Sequence, residues 1–196
     1  MTAKTNGGRP IQGVTQWGSS RISSNQFASS ASELARAAMN KVVLITGSSS
    51  GIGQAAAEVF AARGWKVAAT ARDVGSVHAR ENVRAFSLDV TEVESVRATV
   101  AAVVRDFGTI DVLVNNAGYG LFGRLEGTSI EQLEAVFRTN VLGLIRVTQQ
   151  VLPLMRERKS GTIVNVSSIA GRTATPFMTG YNATKFAVEG LSESLR

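Results

Sequence analysis

The sequence predicts an α/β domain built on a doubly wound parallel sheet, and three observations carry that expectation. Apolar, β-branched runs of strand length recur from Lys41 onward. Segments with apolar residues at helical spacing separate them. The first strand-to-helix junction, Thr46-Gly47-Ser48-Ser49-Ser50-Gly51-Ile52-Gly53, is rich in glycine. Strand–helix alternation of this kind places helices on both faces of a parallel sheet.

The elements follow in order. Val42-Val43-Leu44-Ile45 forms the heart of a first strand over 41–46. A helix over 51–63 carries Ile52, Ala56, Val59 and Phe60 as its apolar stripe. Strand two covers 66–71 and strand three 83–88. Thr91 with Glu94 reads as a capping box, opening a helix with Val93, Val96, Val100, Val103, Val104 and Phe107 at helical spacing. Strand four covers 111–115. Thr128 with Glu131 reads as a second box, before a helix over 129–137. A longer helix from 140 to 157 turns Val141, Leu144, Ile145, Thr148 and Leu152 to the sheet. Strand five covers 162–167, and the last helix opens near Tyr181.

Composition excludes several function classes. A length of 196 residues with 44% hydrophobic content suits one globular domain. No window approaches the roughly 18 consecutive apolar residues of a membrane helix. There is no cysteine, hence no disulfide or thiolate site, which suits a reducing, cytoplasmic setting. His78 is the only histidine, so two-histidine zinc motifs are excluded. It also decides the reading of Gly47-Ser48-Ser49-Ser50-Gly51 as a hydrolase nucleophile elbow. Such enzymes place the triad histidine well downstream of an acid, and His78 lies just after strand two. The net charge of +6 is dispersed, without a basic cluster interleaved with aromatics, so no nucleic-acid partner is expected. Residues 1–38 are rich in Ser, Gly, Asn and Gln and nearly free of acids. They read as a disordered extension, with an organelle transit peptide as the alternative.

Two stretches carry chemistry. A strand, a glycine loop and a helix N-terminus together present backbone N–H groups to a phosphate. The glycines let backbone and ligand approach closely, as in Rossmann-type domains. Far downstream, Tyr181 and Lys185 stand four apart and share a helix face. A free tyrosine has a pKa of about 10, and a neighbouring ammonium lowers it by favouring phenolate. Ser167-Ser168 closes strand five.

The glycine loop, Asn115-Asn116-Ala117-Gly118, Ser168 and Tyr181-Asn182-Ala183-Thr184-Lys185 resemble, in order and spacing, the short-chain dehydrogenase/reductase family. The resemblance runs from about Met39 to Arg196. It implies a dinucleotide held by Gly47, Ser49, Ser50, Gly51, Ile52 and Gly53, with Asp89 and Val90 at the adenine and Asn116, Ala117 and Gly118 along the cleft. It also implies a catalytic set of Asn140, Ser168, Tyr181 and Lys185, with Tyr181 and Lys185 touching the cofactor as well. Strand two ends in Thr70-Ala71 and then Arg72, where NAD-preferring domains place an acid for the ribose hydroxyl. A guanidinium instead suits a 2′-phosphate, so NADP is the expected cofactor. The implied activity is hydride transfer between the nicotinamide and a carbonyl or secondary alcohol. Phe122, Phe177 and Met178 point to an apolar small-molecule substrate. Family members continue beyond this point, so residues 39–196 are expected to form an incomplete domain: five strands present and the C-terminal strands missing. A homodimer or tetramer is implied for a longer form. The rival reading is a nucleotide-binding fragment or pseudoenzyme.

Overall fold

The computed structural model describes residues 41–195; the expected disordered extension over 1–38 lies outside them. Five strands form one parallel sheet: β1 (Val42–Ile45), β2 (Lys66–Ala71), β3 (Val83–Ser87), β4 (Val112–Asn115) and β5 (Thr162–Asn165). Their order is β3-β2-β1-β4-β5. The chain moves outward from β1 to β3, then crosses back to β4 on the other side of β1. The helical connections that follow β1 and β4 therefore leave toward opposite faces of the sheet, and a crevice opens above the carboxyl ends of those strands.

Alternation along β1 divides the core. Val42 and Leu44 face one layer, with α2 (Val93–Phe107) and α4 (Leu144–Glu157) packed over it through Val96, Val100, Val103, Val147, Val151 and Met155. Val43 and Ile45 face the other layer, under α1 (Gly51–Ala62). α3 (Ile130–Phe137) leads into α4 through a wide π-type turn at Arg138–Gly143. α5 (Thr179–Ser194) completes the described chain.

Local details depart from the sequence expectation. On α1, Ile52 and Val59 are 66% and 49% exposed, and the helix seats itself through Gly53 and Ala57, with Ala56, Phe60 and Ala61 beside them. A Cβ on Gly53 would strike the Gly47 carbonyl, so the helix lies too close to the loop for large residues on that face. The capping box at Thr91 does not form. The Thr91 N–H and hydroxyl both donate to Asp89 Oδ1, at 2.8 and 2.7 Å, and α2 begins later, with Glu92 at its N-cap. The second box forms one residue later than expected, between Ser129 and Gln132. On α4, Val147, Val151 and Met155 are buried where Ile145 and Leu152 were expected.

Candidate active site

A cleft of about 790 Å³ opens at the carboxyl ends of β1 and β4. One wall is the glycine loop. Gly47 and Gly51 have φ of +69° and +58°, a left-handed backbone that a glycine adopts without penalty. Thr46 fixes this loop against the next one. Its hydroxyl accepts from the N–H groups of Asn116 and Ala117, both at 2.9 Å. Asn116 Nδ2 returns two bonds, to the carbonyls of Thr46 and Gly47 at 2.9 Å. A Cβ on Gly47 would sit 2.9 Å from Ala117 Cα, so the two loops touch backbone to backbone.

Of the residues the sequence singled out, Gly47, Ser49, Ser50, Ile52, Asn116, Ala117 and Gly118 line the cleft on this side. Arg72, Asp89 and Val90 line it beside the ends of β2 and β3. Arg72 is exposed and has no side-chain partner among the described residues. Gly51 and Gly53 stand at the start of α1 and are not among the lining residues, Gly51 exposed and Gly53 buried.

Tyr181 and Lys185 line the opposite end of the same cleft. Lys185 Nζ lies 5.6 Å from the centre of the Tyr181 ring. It donates to the Val166 carbonyl at 2.8 Å. Burial disfavours its charged form and lowers its pKa below the usual lysine value. Ser168 and Asn140 are not part of the cleft lining. Ser168 caps the turn at Ile169–Gly171, its hydroxyl accepting from the Ala170 N–H at 3.2 Å. Asn140 is buried in the π-type turn. Its Oδ1 accepts from the Tyr119 N–H at 3.0 Å, and its Nδ2 donates to the Tyr119 carbonyl at 2.9 Å and Thr184 Oγ1 at 3.2 Å. Thr184 donates in turn to the Tyr181 carbonyl at 2.7 Å. A chain of polar contacts therefore ties the loop after β4 to the start of α5.

Sequence reasoning passed over several residues at this site. Thr46 reads as the last residue of a strand, yet its hydroxyl joins the two loops. Arg138, Thr139 and Ser167 line the cleft without belonging to a motif. Tyr119, just past the Asn115–Gly118 stretch, lines the cleft as well.

The family model for short chain dehydrogenases matches residues 41–196. The chain belongs to that family. It is 42% identical over 155 residues to an uncharacterized oxidoreductase of Schizosaccharomyces pombe, covering 78% of this chain and 53% of that one. It is 40% identical over 155 residues to a 3-ketodihydrosphingosine reductase of Bacteroides thetaiotaomicron, covering 79% of this chain and 57% of that one. Among solved structures it is similar to an NAD+-bound xylitol dehydrogenase, with TM-score 0.75, 36% identity, and coverage of 80% of this chain and 64% of that one. ElxO with NADP bound gives TM-score 0.73 at 37% identity, covering 78% of this chain and 65% of that one. The chain thus spans between about half and two thirds of the length of these relatives. The solved relatives include both NAD-bound and NADP-bound proteins.

Proposed function

We propose that this chain carries the catalytic and cofactor-binding half of an NADP(H)-dependent oxidoreductase acting on a carbonyl or secondary alcohol. The observation that carries the reading is that the glycine loop, Arg72 and the Tyr181–Lys185 pair line one continuous cleft. Its volume of about 790 Å³ suits a dinucleotide plus a small substrate, since ligand clefts typically hold about 300–1,000 Å³. Gly51 supports the fit: its backbone is left-handed and a Cβ there would meet nothing within 4 Å, leaving open space where a phosphate would approach the helix N-terminus. Arg72, exposed on the wall, is the group that would take a 2′-phosphate.

The nicotinamide cofactor, when bound, supplies or accepts the hydride. The chain's residues handle the proton. Tyr181 donates it to the substrate oxygen during reduction and takes it back during oxidation. Lys185 Nζ lies 5.6 Å from the centre of the Tyr181 ring, and α5 begins at Thr179, two residues before Tyr181. Lys185 also binds the nicotinamide ribose in this reading. Ser168 accepts one hydrogen bond from backbone, so its own O–H is left to donate to the reacting oxygen. Asn140 supports a water-linked proton path through Lys185, and its clamp on Tyr119 holds the loop that borders the path.

The second reading is a nucleotide-binding chain without turnover. The position of β5 favours it: among the described residues this strand lies at the sheet edge with Val164 exposed. A titration with NADPH paired with a steady-state assay of NADPH oxidation over a panel of ketones separates the readings. Turnover establishes the oxidoreductase, tight binding without turnover establishes the second reading, and the absence of binding defeats both.

A further inference from the structure

Two irregular loops meet near Tyr181, the first carrying the cleft-lining residues Tyr119 and Gly120. One follows β4 over 119–124, and the other runs over 172–178 into α5. A backbone hydrogen bond joins them, from the Gly123 N–H to the Phe177 carbonyl at 2.8 Å. Phe177 has φ of +63°. A bulky aromatic residue holds that left-handed conformation only where its surroundings impose it.

Asn182, one residue past Tyr181, supplies the constraint. Its Nδ2 donates to the Thr175 carbonyl at 2.8 Å, and its N–H donates to the Met178 carbonyl at 2.8 Å. The second is the first-turn helical bond of α5, which any residue at this position makes, so the side-chain bond to the Thr175 carbonyl is what ties the turn before Phe177 to the helix. Asn182 is buried, and its Oδ1 has no hydrogen-bond partner. The amide orientation follows, because the flipped form would set Oδ1 against the Thr175 carbonyl. An orphaned buried acceptor is a poor exchange for one hydrogen bond if stability is the only return. The Phe177 ring meanwhile stays exposed, as do Phe122 and Ile169, the latter next to Ser168. Phe122 lies over Gly120, a cleft-lining residue where a Cβ would come 2.8 Å from its ring.

We propose that Asn182 is a positioning residue that locks the 175–178 turn. Phe177 then stands with Phe122 as an apolar wall at the cleft mouth, selecting bulky apolar carbonyl substrates over small ones. The choice of substrate rests on the oxidoreductase reading above; the positioning of the turn does not.

The test compares the unmutated chain with Asn182→Ala and Asn182→Leu, the second filling the space without a donor. Amide hydrogen exchange is the first arm. The Gly123 amide should exchange about tenfold faster in both variants while β1 and β4 amides keep their protection. Unchanged Gly123 protection in both variants overturns the proposal. If Asn182→Ala also loses β4 protection, Asn182→Leu decides.

Kinetics with NADPH is the second arm. The ratio of kcat/KM for a bulky aryl ketone to that for acetone should fall about fivefold, through KM, with NADPH affinity unchanged. Phe177→Ala should lower the same ratio, and adding it to Asn182→Ala should lower it little further, because both act through one ring. An unchanged ratio in the single variants removes the selective role. If the unmutated chain turns over no ketone, the oxidoreductase reading falls, and hydrogen exchange alone decides whether Asn182 positions the turn.

Discussion

Arg72 offers the most direct test of cofactor choice. It lines the cleft with no competing side-chain partner, so its guanidinium is available to a 2′-phosphate. Two unit charges about 4 Å apart in water attract by about 1 kcal/mol. A phosphate monoester carries between about −1.5 and −2, which raises the attraction to about 1.5–2 kcal/mol. The side chain is exposed, so the larger values seen in buried sites do not apply. Removing it should therefore cost about ten- to thirty-fold in NADPH affinity and almost nothing for NADH. Dissociation constants measured by calorimetry for both cofactors, with the unmutated chain and Arg72→Ala, give the double difference. The preference for NADPH should also shrink between low salt and 0.15 M salt, because exposed charges are screened over about 8 Å. Equal affinities for the two cofactors in the unmutated chain, or a preference that survives Arg72→Ala, would refute the assignment.

Three further outcomes follow from the geometry. Tyr181→Phe removes one hydroxyl and little volume, so it should abolish ketone reduction while NADPH affinity stays within about twofold; substantial remaining turnover rejects Tyr181 as the acid/base. Burial holds the folded-state pKa of Lys185 below the usual lysine value of 10.5. The unfolded chain therefore binds the extra proton between the lowered value and 10.5, and stability rises with pH through that window. Lys185→Met should then show its largest gain in Tm, relative to the unmutated chain, near neutrality, with the gain shrinking as pH climbs toward 10.5; a pH-independent difference contradicts burial as the cause. Finally, β5 ends the sheet with an outer edge unpaired among the described residues and Val164 exposed on it. Such an edge templates strand pairing between copies, so Val164→Lys should lower concentration-dependent light scattering, and unchanged scattering places self-association elsewhere.

The sheet was legible because buried parallel strands are apolar on both faces. Val42-Val43-Leu44-Ile45 has no other economical fate, and all five strands lie where apolar runs predicted them. The α1 stripe was misread for a related reason. Periodicity records which residues are large, whereas the contact at Gly53 selects residues that are small. Ile52 then turns toward the cleft and becomes part of its lining. Capping was misread because two acceptors competed for the same donors. Thr91 looks like an N-cap in isolation, but the Asp89 carboxylate, two residues back, takes both of its hydrogens. Thr46 and Asn182 stand inside the two motifs, but the pattern does not show what their side chains bind. Their partners, Asn116 and Ala117 for one and the Thr175 carbonyl for the other, become neighbours through loop paths that periodicity does not encode.

The same logic explains why the site sits where it does. The order β3-β2-β1-β4-β5 sends the chain in opposite directions from β1, leaving a crevice that no helix can cover. The crevice is held from both sides by polar contacts. On the β1 side, Thr46 and Asn116 lock the glycine loop to the loop after β4. On the far side, Asn140 and Thr184 lock that second loop to α5. Asn115, between them, donates to Thr148 and Asn165 and so ties β4 to α4 and β5. Asn115 in β4, Asn116 in the loop after it and Asn140 in the π-type turn would be a liability in a domain built for stability alone, because a buried or half-buried amide needs several partners to offset its desolvation. Here Asn116 and Asn140 join loops that border the cleft, while Asn115 braces β4 against α4 and β5. The Thr46 and Asn140 contacts therefore differ in consequence: loosening the first should cost cofactor affinity, whereas loosening the second should cost turnover at unchanged affinity. Thr46→Val and Asn140→Leu, compared by NADPH titration and by kcat, separate the two effects. Identical losses in both measurements would mean that the locks act only through the stability of the domain.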